Sequence, residues 1–158
     1  MSIPNPDFMR EAIQLSLNTM RNGNGGPFGA VIVKDGQIIA RGYNRVLETN
    51  DPTAHAEVVA IREATQSLGT FDLEGCEIYT SCEPCPMCLG AIYWSHISRM
   101  YYANTKADAE AIGFDDHFIY DELDRDPAHR RLQSLPLLRD EAIRAFEEWA
   151  SKTDKQSY

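Results

Sequence analysis

The chain lacks several features that would assign it to other classes of protein. No apolar run is long enough to cross a membrane, and the first residues have neither the charged nor the apolar region of a secretory signal. Internal repeats and low-complexity segments are also absent. Basic residues are scarce, because 15 Lys and Arg stand against 24 Asp and Glu and leave a net charge of −9. We therefore expect a cytoplasmic protein that binds neither membrane nor nucleic acid, whose phosphates need clustered basic side chains.

The four cysteines lie too close together to cross-link a fold of this size. They fall between residues 76 and 88 of a chain of 158 residues, which is typical of a reducing compartment rather than of a disulfide framework. The length predicts a single domain over residues 1–158, since no linker divides it. Residues 137–158 form a predicted helix and tail, which pack either on the same domain or, exchanged, on a partner subunit.

Two short motifs contain the ligand types of a zinc site. His55 lies 30 positions before Cys85, and Cys88 follows three positions later. The bend at Pro84-Cys85-Pro86, between a predicted strand and a predicted helix, puts both cysteines at the first helical turn, where their sulfurs can converge on one ion. Thiolate together with imidazole favours Zn²⁺, so we expect one zinc ion per chain. Three protein ligands leave a fourth position for water, as in catalytic zinc sites.

Glu57 is the carboxylate that the sequence ties to this site. It lies two residues after His55, within reach of a water on the metal, as a general acid/base must be. The pair of motifs His-x-Glu and Pro-Cys-x-x-Cys is the signature of zinc deaminases. Three alternatives compete: Cys82 as fourth ligand of a closed structural site, a redox Cys-x-x-Cys pair, and unrelated core cysteines. The first gives Glu57 no role, the second leaves His55 and Glu57 unused, and the third does not explain why both motifs appear in order.

The hydrophobic pattern predicts strands that alternate with helices. The predicted strands cover residues 27–33, 38–43, 76–80 and 97–103, and the predicted helices start near residues 6, 53, 86, 107, 118 and 140. Asp35-Gly36 predicts a hairpin turn, and the alternation of strands with helices implies a partly parallel sheet. Two helical stripes are predicted to pack in the core, formed by Met9, Ile13, Leu17 and Met20 and by Val58, Ile61, Thr65 and Leu68.

With these residues in view, the chain resembles the bacterial guanine deaminases of the cytidine deaminase superfamily over nearly its whole length. The segments that carry the resemblance are 25–34, 51–57, 80–94 and 113–116. The resemblance implies an α/β fold, a three-layer α/β/α domain around a mixed central sheet of about five strands. It also implies that a small-molecule purine, guanine, loses its 2-amino group hydrolytically to give xanthine and ammonia.

Two carboxylates carry the chemistry in this interpretation. Glu57 transfers the proton of the attacking water to the ring nitrogen, and Asp116 binds the guanine edge and assists the departing amine. Without the resemblance, Asp116 is equally an N-cap of the helix at Phe118. Other candidate activities are a guanosine deaminase, another aminopurine or triazine deaminase and a tRNA adenosine deaminase. A non-enzymatic zinc protein that binds a partner is a further alternative.

The remaining candidate residues shape the substrate pocket. Asn44 is expected to hydrogen-bond the purine, although it otherwise reads as a turn residue. Phe28 and Trp94 are expected to form apolar walls, although aromatic residues are as often part of a core. The resemblance also implies a homodimer that exchanges C-terminal segments, so that Tyr158 helps to close the pocket of the partner.

Overall fold

The computed structural model describes residues 3–158, and the chain divides into two compact units. The first unit extends to His117, and the second spans Phe118–Tyr158. Among the described residues, none of the helices combines the length and the apolar composition that a membrane crossing requires.

A mixed sheet of four strands forms the centre of the first unit. The strands are β1 (Gly29–Lys34), β2 (Gln37–Tyr43), β3 (Glu77–Cys82) and β4 (Arg99–Asn104). Their order is β2-β1-β3-β4, with β1 antiparallel to both neighbours and β3 parallel to β4. The prediction of a partly parallel sheet is confirmed. The prediction of about five strands is wrong for the described residues, because the chain after Asn104 forms helices instead of another strand.

The β1–β2 hairpin turns at the residues that the sequence predicts. Asp35 and Gly36 both have positive φ, 50° and 74°, which is the backbone of a tight two-residue hairpin turn whose twist matches the strands. This hairpin fixes the direction of β2. As a result, β2 ends next to the loop that leads into the third helix, where Arg45 N–H donates to Ala54 C=O at 2.9 Å.

Residues 3–158 form seven α-helices in addition to the strands. Their bounds are α1 (Pro6–Arg21), α2 (Val46–Thr49), α3 (Ala56–Leu68), α4 (Pro86–Trp94), α5 (Lys106–Ala111), α6 (His117–Asp124) and α7 (Arg139–Ser151), with a short 3-10 turn at Pro127–His129. Asn5 caps α1, since its side chain accepts a hydrogen bond from Asp7 N–H at 2.9 Å.

Alternation along the strands divides the core between two faces of the sheet. One cluster joins Ala30, Ile32 and Ile78 to the alanines of α3 and to Ile92 of α4. The other joins Val31, Val33 and Tyr79 to Phe8, Met9 and Leu15 of α1. Successive side chains of a strand point to opposite faces, so α1 lies on one face and α3 with α4 on the other. The first unit is therefore a three-layer α/β/α arrangement.

Small residues bring α1 and α3 unusually close to the sheet. A Cβ at Gly29 would lie 2.2 Å from Ala12 O, and a Cβ at Gly42 would lie 2.0 Å from Ala56 O. The buried residues of the two helices are accordingly small or polar ones: Ala12, Ser16 and Thr19 in α1, and Ala56, Glu57, Ala60 and Ala64 in α3.

The apolar stripes that were predicted to pack in the core therefore do not form the contact lines of α1 and α3. Ile13 and Met20 of α1 are exposed, and Val58 and Thr65 of α3 are only half-buried. A backbone that nearly touches the strand has room only for small side chains at the point of contact. The larger apolar residues flank this contact line instead of forming it.

Candidate metal centre and substrate pocket

The N-termini of α3 and α4 meet beside the end of β3. His55 is the N-cap residue of α3 and Cys85 is the N-cap residue of α4, and neither side chain makes a capping hydrogen bond. Both side chains are turned toward each other and toward Cys88. His55 Nδ1 lies 3.6 Å from Cys85 Sγ and 3.5 Å from Cys88 Sγ.

The geometry of this cluster fits a tetrahedral metal ion. The three ligand atoms all lie within 4.8 Å of one another. Zinc binds sulfur at about 2.3 Å and imidazole nitrogen at about 2.0–2.1 Å, so tetrahedral N and S ligands are separated by about 3.6 Å. One imidazole nitrogen has at most one hydrogen and cannot satisfy two sulfurs at once. The separations of 3.5 and 3.6 Å between His55 Nδ1 and the two sulfurs match those expected for ligands of one tetrahedral ion.

The electrostatics of the cluster favour a thiolate. A hydrogen bond from Cys88 lowers the pKa of Cys85 to about 4, with burial opposing and His55 adding to the effect. The same contact, together with burial, raises the pKa of Cys88. The interaction with Cys85 also raises the pKa of His55, because the negative sulfur stabilises the charged imidazole. Thiolate is the form of cysteine that binds metals.

Cys82 lies outside this cluster. It is buried at the end of β3, where its thiol contacts Thr105 C=O at 3.6 Å. Burial and the nearby negative charge of Glu57 raise its pKa to about 11, so the neutral thiol is favoured. Among residues 3–158, the only group of three or more His, Cys, Asp or Glu side chains with converging ligand atoms is His55, Cys85 and Cys88.

Glu57 is a buried carboxylate in the first turn of α3. Only 5% of it is exposed, and Thr80 of β3 donates its hydroxyl hydrogen to Glu57 Oε1 at 2.8 Å. Burial raises the pKa of Glu57, against the opposing effect of hydrogen bonds from its own backbone, Thr80 and Cys88. The interaction with Cys88 puts the carboxylate next to the metal ligands. A buried carboxyl group with a raised pKa at such a cluster is suited to accept and return a proton.

Asn44 is held firmly at the end of β2. It is buried, its backbone C=O accepts the hydroxyl of Thr19 at 2.6 Å, and its Oδ1 accepts Val46 N–H at 3.1 Å. A Cβ at Gly25 would lie 2.0 Å from Asn44 Oδ1, so the glycine leaves space for the amide. Val46 N–H uses one of the two lone pairs of Oδ1, so the amide has Nδ2 as a donor and the second lone pair of Oδ1 as an acceptor for a ligand.

Phe28 contributes to an aromatic wall that it shares with Phe114. The two rings meet edge to face, with centroids 5.0 Å apart and an interplanar angle of 88°. A Cβ at Gly26 would lie 2.8 Å from the Phe114 ring, so a glycine is needed there. Phe28 C=O accepts Asn44 N–H at 3.0 Å, which joins this wall to the Asn44 end of β2. Phe114 was not predicted as a site residue, although it lies in a segment that carries the resemblance.

Asp116 is half-buried beside a cleft of about 350 Å³. Burial raises its pKa, and the negative Cys85 adds to the effect while Lys106 opposes it. Asp115 Oδ1 accepts the N–H of His117, the first residue of α6, at 2.8 Å. The assignment of Asp116 to the site stays a prediction.

Trp94 does not lie beside the candidate metal ligands, and Tyr158 lies outside the unit that contains them. Trp94 is the last residue of α4 and is 67% exposed, whereas Cys85 lies at the other end of that helix. A rise of 1.5 Å per residue separates the two ends by about 12 Å. Tyr158 belongs to the second unit and is exposed. Both roles stay predictions.

Comparison with known proteins agrees with this geometry. Residues 4–104 match the family described as the cytidine and deoxycytidylate deaminase zinc-binding region. The chain is 49% identical to guanine deaminase of Bacillus subtilis over 151 residues, which cover 96% of this chain and 97% of that protein.

A more distant relative matches only part of the chain, whereas a solved structure matches nearly all of it. The tRNA-specific adenosine deaminase of Aquifex aeolicus is 44% identical over 96 residues, 61% of this chain and 63% of that protein. The X-ray structure of Bacillus subtilis guanine deaminase superposes with a TM-score of 0.95 and 47% identity, covering 99% of both chains. This chain therefore belongs to the cytidine and deoxycytidylate deaminase family of zinc-binding enzymes and is similar to a guanine deaminase of that family along nearly its whole length.

Proposed function

We propose that this protein is a zinc-dependent guanine deaminase, which hydrolyses guanine to xanthine and ammonia. The observation that carries the reaction class is the buried Glu57 carboxylate beside a cluster of three metal ligands. The choice of guanine is supported by the similarity to the Bacillus subtilis guanine deaminase, because it extends over both chains, whereas the similarity to the tRNA-specific enzyme covers about two thirds of each.

His55, Cys85 and Cys88 would hold one zinc ion per chain. A zinc ion bound by three protein ligands lowers the pKa of a coordinated water to about 7 and thereby supplies the hydrolytic nucleophile. The helix N-termini at His55 and Cys85 direct amides that lack intrahelical partners and a positive dipole end toward the same region, which favours the negative charge that develops there.

Glu57 and Asp116 divide the proton transfers. Glu57 accepts the proton of the attacking water and passes it to the ring nitrogen next to C2. Burial raises the pKa values of both carboxyl groups, so each can hold a proton closer to neutral pH than a solvated carboxylate does. Asp116 contacts the guanine edge and assists the departing amine.

Asn44, Phe28 and Phe114 position the purine. The Nδ2 group of Asn44 donates to an acceptor on the purine edge, while Val46 N–H holds Oδ1 and fixes the orientation of the amide. The edge-to-face pair of Phe28 and Phe114 supplies an apolar surface for the ring. A flat apolar wall beside a single oriented donor suits a planar heterocycle.

We further propose that the protein is a cytoplasmic homodimer that exchanges C-terminal segments, in which Tyr158 closes the partner's pocket. Several large apolar residues of the second unit are exposed in the single chain, and exposed apolar surface of this kind is typical of interfaces. They are Leu132, Leu135, Leu137, Leu138, Phe146, Trp149 and Tyr158. A tail over the pocket would leave little room for ribose, so guanine should be a better substrate than guanosine.

A substrate panel tests this function. Purified zinc-loaded protein is assayed for ammonia release from guanine, guanosine, adenine, cytosine and cytidine, with tRNA deamination measured separately. Guanine should be the best substrate, and the zinc content should be one ion per chain. A preference for guanosine would favour a nucleoside deaminase. Absence of ammonia from every base despite full zinc loading would contradict the proposed activity and favour a non-enzymatic zinc protein.

A further inference from the structure

The buried threonine of β3 that contacts Glu57 has no role in the chemistry described above. Thr80 is 1% exposed, and its Oγ1 lies 2.8 Å from Glu57 Oε1. The same oxygen lies 2.9 Å from the C=O of Cys82. A buried side chain that contacts the general acid/base from a central strand is well placed to determine the orientation of the carboxylate.

Thr80 is held rigidly by its own surroundings. Its backbone pairs with Ala30 of β1 on one side and with Tyr102 of β4 on the other, so both edges of the strand are fixed at this position. A β-branched side chain has few χ1 rotamers, which limits the positions that Oγ1 can occupy, and Cys82 C=O at 2.9 Å is the alternative acceptor for its single hydrogen. The position of Oγ1 is thus set by the sheet and not by α3, which carries Glu57.

We propose that Thr80 is a positioning residue, which holds Glu57 Oε1 so that the carboxylate keeps one orientation at the metal centre. The inference rests on the proposed function, because it assigns to Thr80 an effect on proton transfer by Glu57. A carboxylate tethered at one oxygen cannot rotate freely between orientations, and proton transfer needs the donor and acceptor heavy atoms within about 2.6–3.2 Å of each other. Loss of the tether should therefore slow turnover without weakening substrate binding.

The test compares Thr80→Val, which keeps the shape of the side chain and removes the hydroxyl, with Thr80→Ser, which keeps the hydroxyl. A hydrogen bond to an ionised group is strong enough to change a rate by about tenfold. Thr80→Val should lower kcat for guanine by about tenfold and leave KM within about twofold, because Glu57 is the proposed catalytic group that the hydroxyl contacts. Thr80→Ser should restore most of the lost kcat, and zinc content should equal that of the parent in both variants.

Ser81→Ala is the matched control. Ser81 is the next residue of β3, is equally buried, and accepts Gly29 N–H at 3.0 Å on the opposite face of the sheet. Its substitution removes a buried hydroxyl from the same strand without touching Glu57, so kcat should stay at the parental value. An equal loss of kcat in Ser81→Ala and Thr80→Val would mean that general damage to β3 causes the effect, and the proposal would be overturned.

A double-mutant cycle with Glu57→Gln measures how far the effect of Thr80 on the rate depends on Glu57. In single-turnover assays with excess enzyme, Thr80→Val should cost little further rate once Glu57 is replaced, since the group that it positions is gone. A full additional tenfold loss in that background, or parental kcat in Thr80→Val alone, would refute the positioning role.

Crystal structures of the zinc-loaded variants give a readout that does not depend on the substrate. The Glu57 carboxylate should be displaced or split between conformers in Thr80→Val and should return in Thr80→Ser. An undisplaced carboxylate overturns the proposal. If the parent protein releases no ammonia from guanine, the proposed function fails, and this structural comparison still decides the role of Thr80.

Discussion

The close approach of α3 to the sheet makes Gly42 the position where a single methyl group should disturb the site most. A Cβ at Gly42 would lie 2.0 Å from Ala56 O and 2.6 Å from Ala60 N, whereas ordinary contacts start at 3.4 Å. In Gly42→Ala, the first turn of α3 must move away from β2 by more than about 1 Å to reach a normal contact distance. Ala56 lies between His55 and Glu57, so this displacement is passed directly to both.

The expected losses of stability and of turnover follow from the size of this displacement of α3. Overpacking a close contact typically costs about 1–3 kcal/mol of the free energy of unfolding, and in a chain of this size each kcal/mol lowers Tm by about 2–4 °C. A misplacement of about 1 Å can cost about 10²-fold in rate. We therefore expect Gly42→Ala to lower both Tm and kcat, with zinc content reduced because His55 moves relative to the cysteines.

The assay combines thermal unfolding, zinc analysis and guanine turnover, with Gly90→Ala as control. Gly90 lies within α4, and a Cβ there meets nothing within 4 Å. Alanine is favoured over glycine in a helix by about 1 kcal/mol, so Gly90→Ala should keep or raise Tm and leave kcat unchanged. If Gly42→Ala keeps parental Tm and kcat, the contact between α3 and β2 does not position the site, and the reasoning fails.

Three further substitutions and one truncation test the assigned roles. Cys82→Ser should retain the zinc content of the parent, whereas serine at either cluster cysteine should remove it; zinc loss in Cys82→Ser would restore the four-ligand interpretation. Glu57→Gln should keep zinc and lower kcat by about 10²–10⁴-fold, and near-parental turnover would exclude it as the general acid/base. Asp116→Asn should lower kcat but should not lower Tm at pH 7. The pKa of Asp116 is raised in the folded state, so its ionised carboxylate destabilises the fold above this pKa and has no effect on stability below the pKa of the unfolded state. A lower Tm in Asp116→Asn would contradict this expectation. Removal of the last few residues through Tyr158 should impair deamination while dimer and zinc remain, and unchanged kinetics or a monomeric parent would argue against segment exchange.

Several elements could be predicted because neighbouring residues determine them. The hairpin at Asp35 and Gly36 needs positive φ at two consecutive residues, a requirement that is visible in the sequence itself. The start of α4 follows from Pro86, which is tolerated in the first helical turn, and its position makes Cys85 the N-cap. Local chemistry of this kind is independent of the rest of the fold.

The contact faces of α1 and α3 could not be predicted in the same way. Hydrophobic periodicity gives weight to large side chains such as Ile13 and Met20, and these are exposed. The actual contacts are made by alanine, serine and glycine, which carry little hydrophobic signal. Their importance comes from the distance between two backbones, and that distance depends on segments far apart in the chain.

For the site, the sequence by itself predicted the proposed metal ligands and the proposed general acid/base, because these roles require particular chemical groups at short spacings. His55 and Glu57 are two residues apart, and Cys85 and Cys88 are three apart. Only the tertiary structure decided the neighbours of these groups. It put Thr80 against Glu57, gave Asp115 the hydrogen bond from His117 N–H, and excluded Cys82 from the cluster. Such assignments depend on which side of a strand or helix end a side chain occupies, and packing between distant segments settles that choice.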